Sequence, residues 1–156
     1  MFAFSTAALP KPFDRARAER TFERLAEQGY RPEGDARTLL ESAFGNSAYL
    51  CRVALREHAL LPALFAEGPR AILDQAMADA MAASAGTEAE IMASLLRSKR
   101  RAALAVALAD IAGAWTLEDV TAALTNFADA CVKGALRFAL MEADATAIKR
   151  FIAEHC

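Results

Sequence analysis

TEAEIMASLLRSKRRAALAVALADIAG, running from Thr87 to Gly113, decides how this chain is read. Thr87 followed by Glu90 has the form of a capping box. The hydroxyl accepts from the backbone N–H three residues on, and the carboxylate reaches back. From there to Ala112 the spacing predicts one helix of about 25 residues, a rod of about 38 Å. Four cations, Arg97, Lys99, Arg100 and Arg101, crowd into five positions, and an apolar run follows with one acid, Asp110, set into it. At about 100° per residue, Arg97, Arg100 and Arg101 share one side, while Ile91, Leu95, Ala102 and Val106 share the other. Further on, Leu104, Leu108 and Ile111 take over the side that was basic. The rod therefore leaves a surface and enters a core. Asp110 reads as a structural buried acid. Bare burial of a carboxylate is costly, so a cation from another helix or a helix N-terminus is expected beside it. The cations read first as a solvated face partly paired to acids. Second, they are candidates for contact with another domain or a partner.

Working outward from this rod, further helices follow from local signals. Trp115-Thr116-Leu117-Glu118-Asp119-Val120 is another start signal, with Thr116 as cap. Leu117, Val120, Leu124, Phe127, Cys131, Gly134, Phe138 and Met141 then recur at intervals of three and four, the stripe of a helix over about 117–142. Gly134 on that stripe implies close approach of a neighbouring helix. A turn of about three residues between the two rods predicts a long antiparallel hairpin, about 88–112 with 117–142.

Upstream, Asp14 caps a helix that Gly29 stops. Asp35 is expected to cap a short helix carrying Leu39, Leu40 and Phe44, closed by Gly45. Asn46-Ser47 opens another, and a further short one lies near Leu60 to Ala66. Pro69 suits the first turn of the next, with Ile72, Leu73, Ala76, Met77 and Ala80 at helical spacing. Residues 1–12 read as a loose arm, and 145–156 as a weakly amphipathic tail through Ile148, Phe151 and Ile152. No segment alternates with period two, so the fold class is all-α: a single-domain bundle of about six to seven helices.

Bulk properties narrow the function classes. The 156 residues suit one domain. The net charge of −2 weighs against a nucleic-acid binder, and no aromatic residue interleaves the basic patch for base stacking. The longest apolar run, Ala102 to Ala109, falls well short of the ~20 residues of a membrane span. Cys51, Cys131 and Cys156 are sparse and unpaired in spacing, as in a reducing cytoplasm. Neither His58 nor His155 has a ligand partner at helical spacing, so no metal site is expected. Cys131, on the apolar stripe, reads as a small hydrophobe.

Two blocks carry a family resemblance: NSAYLCRVALREHALLPALFAEGP, and LLRSKRRAALAVALADIAGAWTLEDVTAALTNFADACVKGALR. From about Asn46 to Arg137 the chain resembles the N-terminal part of the bacterial bifunctional glutamine synthetase adenylyltransferase/adenylyl-removing enzyme. It departs where Ala48 and His58 replace expected prolines. The resemblance implies a large parent enzyme. Its halves remove AMP from, and add it to, a glutamine synthetase tyrosine, using Mg and ATP and answering to a PII-type signal protein. It further implies that this stretch is a helical lead-in to the catalytic domain of the adenylyl-removing half.

The chemistry of that family needs a Gly-Ser turn and an Asp-x-Asp pair to hold metal on phosphate. Neither occurs here. Glu88/Glu90 and Glu142/Asp144 are spaced two apart in helical or cap contexts, where they point apart. No catalytic residue is assigned. The expected role is support of the catalytic domain, with Arg97, Lys99, Arg100 and Arg101 as contact candidates. A free-standing helical interaction module is the rival reading, and exposed apolar area discriminates the two.

Overall fold

A computed structural model describes residues 2–83 and 86–155; within the last stretch the side chains of 145, 146, 148, 149 and 151–155 lie outside the description, and with them the apolar tail positions Ile148, Phe151 and Ile152. Among the described residues there are seven α-helices and no strand: α1 Arg15–Glu27, α2 Gly34–Asn46, α3 Ala48–Arg56, α4 Leu61–Glu67, α5 Pro69–Ala82, α6 Glu88–Ile111 and α7 Leu117–His155. The all-α bundle is as expected.

The ends of these helices follow their sequence signals. Asp14 accepts from the Arg17 N–H at 2.8 Å. At the other end of α1, Gly29 has φ 86°. Its N–H donates to the Ala26 carbonyl, and the Tyr30 N–H donates to Leu25, a Schellman stop. Gly113 closes α6 the same way, with Gly113 N–H on Asp110 and Ala114 N–H on Ala109. Ser47 accepts from the Leu50 N–H and opens α3 without the proline. Two expectations shift slightly. Glu33, not Asp35, stands at the cap of α2, with no side-chain bond, and that helix runs one residue past Gly45.

Both long helices begin with reciprocal caps. The Thr87 N–H donates to Glu90 Oε2 at 2.8 Å, and the Glu90 N–H donates back to Thr87 Oγ1 at 3.4 Å. Thr116 and Asp119 exchange the equivalent bonds at 3.0 and 3.1 Å. Backbone and hydroxyl donors hold both carboxyls below their ordinary range. A depressed folded-state pKa contributes stability above the unfolded value, and that contribution is lost as pH falls through the folded value. The Thr87 and Thr116 amide resonances are therefore expected to titrate below the usual carboxylate range. A midpoint at the ordinary Glu or Asp value would show that the boxes do not form.

Two apolar cores explain the double character of α6. Leu104, Ala105 and Leu108 join α1–α4 around Phe44, Leu25 and Leu64. Ala102 and Val106 join Leu73, Ala76 and Ala80 of α5 and Ala123 and Phe127 of α7. The second half of α6 lies between the two cores, so it is apolar nearly all round.

The hairpin of α6 and α7 needs a correction in emphasis. α7 packs more extensively on α5 than on α6. A Cβ on Gly134 would collide with the Ala80 carbonyl oxygen and stand 3.1 Å from the Ala80 carbonyl carbon. The close approach expected at Gly134 is therefore real, and its neighbour is the end of α5. The stripe on α7 is also narrower than expected. Ala123, Phe127, Ala130 and Gly134 are buried, whereas Leu117, Leu124 and Met141 are exposed. α7 continues as one helix through His155, with no separate tail.

The N-terminal arm is not loose. Phe2 is buried, its N–H donates to the Phe65 carbonyl, and its ring lies 4.9 Å from that of Phe4. Ser42 Oγ donates to the Pro10 carbonyl at 2.6 Å, and Asn46 Nδ2 donates to Lys11 at 3.0 Å. The prolines favour irregular backbone, but Phe2 and Phe4 carry enough apolar surface to anchor it.

Candidate functional site

The one buried acid of the bundle is Glu57, among the described residues. It ends α3 and starts the 3-10 turn His58–Leu60. Its backbone N–H donates to Val53 and its carbonyl accepts from Leu60. Arg100 Nε donates to one carboxylate oxygen at 2.8 Å, and Arg101 Nε to the other at 3.2 Å. Arg101 also donates to Asp79 on α5 at 3.4 Å. The side chain of Glu57 thus ties α3 to α6, and Arg101 extends the tie to α5. Leu50, Val53 and Ala54 precede Glu57 at helical spacing, so the acid continues the buried stripe of α3. That spacing is the sequence signal for its burial, whereas the apolar frame around Asp110 is no such signal.

Asp110 is exposed. It shares a face with exposed Leu96 and Lys99 and half-buried Ala103 and Ala107, at intervals of three and four. The run looked like core because small alanines occupy an open face. Asp110 is therefore not the buried acid, and no partner is needed to offset its desolvation.

The four cations divide. Arg100 and Arg101 are half-buried on Glu57, while Arg97 and Lys99 are exposed. Lys99 faces α7, where its charge opposes the effect of burial, which pushes the Cys131 thiol up. A raised thiol pKa leaves little thiolate at neutral pH. Cys51 is buried, and its single S–H is shared between the Phe44 and Ser47 carbonyls, 3.4 and 3.3 Å from Sγ. His58 sits 3.3 Å from the Leu55 carbonyl through Nδ1. The terminal Cys156 and the side chain of His155 lie outside the described residues.

Among the described residues, the paired acids singled out in the sequence do not converge on one point. Glu90 is committed to Thr87, and Glu142 and Asp144 stand exposed two residues apart on α7. Among the described residues, no three His, Cys, Asp or Glu side chains come together to hold a metal. Also among them, no helix is long and apolar enough to cross a membrane.

A family model described as glutamate-ammonia ligase adenylyltransferase matches residues 37–154. The chain belongs to that family. The match reaches past both ends of the Asn46–Arg137 resemblance and includes most of α2 and nearly all of α7. Bifunctional glutamine synthetase adenylyltransferase/adenylyl-removing enzymes are among its relatives. That of Xanthobacter autotrophicus is 44% identical over 98 residues, 62% of this chain and 10% of the relative. That of Caulobacter vibrioides is 33% identical over 133 residues, 80% of this chain and 13% of the relative. One from Rhodopseudomonas palustris is 41% identical over 110 residues, 68% of this chain and 11% of the relative. This adenylyltransferase-family chain thus spans roughly a tenth of the length of the relatives it matches. No solved structure matches it.

Proposed function

We propose that this chain is a non-catalytic helical part of a glutamine synthetase adenylyltransferase/deadenylylase, supporting its adenylyl-removing nucleotidyltransferase half. The outer face of α7 carries this reading. Val132, Leu136 and Leu140, spaced four apart, are 65%, 56% and 58% exposed. At about 100° per residue they lie roughly opposite buried Phe127 and Gly134. Scattered exposed leucines are ordinary, but three aligned apolar side chains within about 12 Å on one side of a helix, beside Asp129 and Lys133, suit a surface that another part of the protein covers. In this reading the cover is the rest of the parent polypeptide. Glutamine synthetase as protein substrate, Mg and ATP, and control by a PII-type protein belong to the whole enzyme and reach this chain only through it.

The test is complementation in trans. The segment matching this chain is deleted from the Caulobacter vibrioides relative, and this chain is added back. Co-purification and recovery of phosphorolytic deadenylylation are expected, with Leu136→Gln/Leu140→Gln losing binding by about tenfold, or 1.4 kcal/mol. A chain that stays monomeric, binds nothing of the relative and restores no activity would favour the free-standing module instead.

A further inference from the structure

The arginines of α1, α3 and α6 form a continuous basic groove of which the RSKRR cluster is only one end. Its middle is a depression of about 580 Å³ lined by Arg24, Arg52, Arg56 and Arg100, with Tyr49 and Val53. Arg24 and Arg52 also line a neighbouring hollow of about 290 Å³, which adds Arg20. Arg56 and Arg100 line a third of about 360 Å³, which adds Arg97. Among the described residues, Glu57 is the one carboxylate lining any of the three, and both its oxygens are taken by Arg100 and Arg101. Arg20, Arg24, Arg52, Arg56 and Arg97 are all exposed, and among the described residues none has a carboxylate within 4.0 Å.

These arginines are also close neighbours of one another along their helices. Arg20 and Arg24 stand four apart on α1, and Arg52 and Arg56 four apart on α3. Like charges at that spacing repel along a helix, and here two such pairs line adjoining hollows. A chain with net charge −2 has collected these cations on one side.

We infer that this groove docks an acidic segment of a partner protein, with carboxylates received by Arg24, Arg52 and Arg56. Three observations favour carboxylates on a polypeptide. First, the groove cations named here are all arginine, whose planar fork matches carboxylate geometry. Second, Glu57 shows the chemistry in place: a carboxylate here takes one guanidinium per oxygen. Third, exposed Tyr49 and half-buried Leu55 line the same depression and suit apolar side chains of a peptide. Tyr49 is the one aromatic lining these hollows, so successive bases have no stacking platform. The inference stands apart from the proposed function, because the groove involves none of the apolar face of α7.

The test is binding of a dye-labelled peptide of alternating glutamate and leucine, followed by anisotropy at physiological ionic strength. Arg52→Glu/Arg56→Glu is expected to weaken binding about tenfold or more. Lys133→Glu/Arg137→Glu makes the same charge change on α7, away from the groove, and is expected to weaken it less than about twofold. Arg24→Glu, on a different helix, repeats the first result, and unchanged thermal midpoints show that the variants are folded. Absence of binding, or equal losses in groove and control variants, would overturn the inference. So would a single-stranded oligonucleotide of equal charge that binds more tightly and is lost by the same groove reversals.

Discussion

Gly134→Val is expected to destabilise the protein by about 3 kcal/mol, near the upper end for overpacking. For a chain of this size that lowers the thermal midpoint by about 6–12 °C. The reason lies in what the new atoms meet. A Cβ at Gly134 runs into the Ala80 carbonyl oxygen, with the Met81 Cα 3.6 Å away. These are backbone atoms of α5, which cannot swing aside as the end of a side chain can. Relief requires α7 to move off α5, opening the packing of Leu73, Ala76 and Ala80 against Ala123 and Phe127. Gly134→Ala gives the sharper sign test. Alanine is the better helix former by about 1 kcal/mol, so a glycine in open helix gains stability on this change. Here a loss of about 1–2 kcal/mol is expected, because the first added carbon already collides. If denaturation shows Gly134→Ala to be more stable than the parent, α7 does not approach α5 at this point.

Glu57→Ala is the second large effect, about 2 kcal/mol. Removing one partner of a fully buried ion pair costs about 3–5 kcal/mol, because the other charge is stranded. The figure is smaller here, since the Arg100 and Arg101 side chains keep 27% and 29% of their exposure and can rehydrate. What remains is the lost tie between α3 and α6 and the space left by the removed side chain. Glu57→Gln keeps the shape and should fall in between. A double-mutant cycle with Arg100→Ala and Arg101→Ala isolates the coupling. Asp110→Ala provides the contrast. It is expected to change stability by less than about 0.5 kcal/mol, as surface substitutions do. Any change should be toward greater stability, since an acid in the last turn of α6 opposes the helix dipole. Comparable losses at Glu57 and Asp110 in urea denaturation would show that the clamp is not where the bundle is tied.

Both effects bear on the proposed role. The Glu57 clamp joins α3, beside the arginine groove, to α6. The Gly134 contact seats α7, whose outer face would meet the parent enzyme. A surface offered to a partner is useful only if the elements presenting it hold their relative positions.

Helix starts and stops were legible because each rests on atoms within a few residues. Asp14, Ser47, Thr87 and Thr116 accept from N–H groups three residues on, and Gly29 and Gly113 adopt the left-handed backbone that ends a helix. The closeness at Gly134 was legible as well, since a glycine on an apolar stripe has few other uses. Which helix approached it was not. The turn between α6 and α7 pointed to their mutual packing, but α5 takes most of the α7 surface, because the small side chains of Ala76 and Ala80 let it come closer.

Local chemistry along the chain determined the all-α class, the family resemblance and the helix boundaries to within a residue or two, except the far end of α7, which runs on to His155 where a separate tail was expected. Tertiary structure decided which acid is buried. Asp110 sits in an apolar run yet faces outward on alanines, while Glu57 sits among charged neighbours in sequence yet continues the buried stripe of α3. It also gathered arginines more than seventy residues apart, from α1 to α6, into one groove. Caps and turns are short-range and readable from sequence. Burial and charge clustering depend on which faces of different helices meet, and that is settled only when the bundle packs.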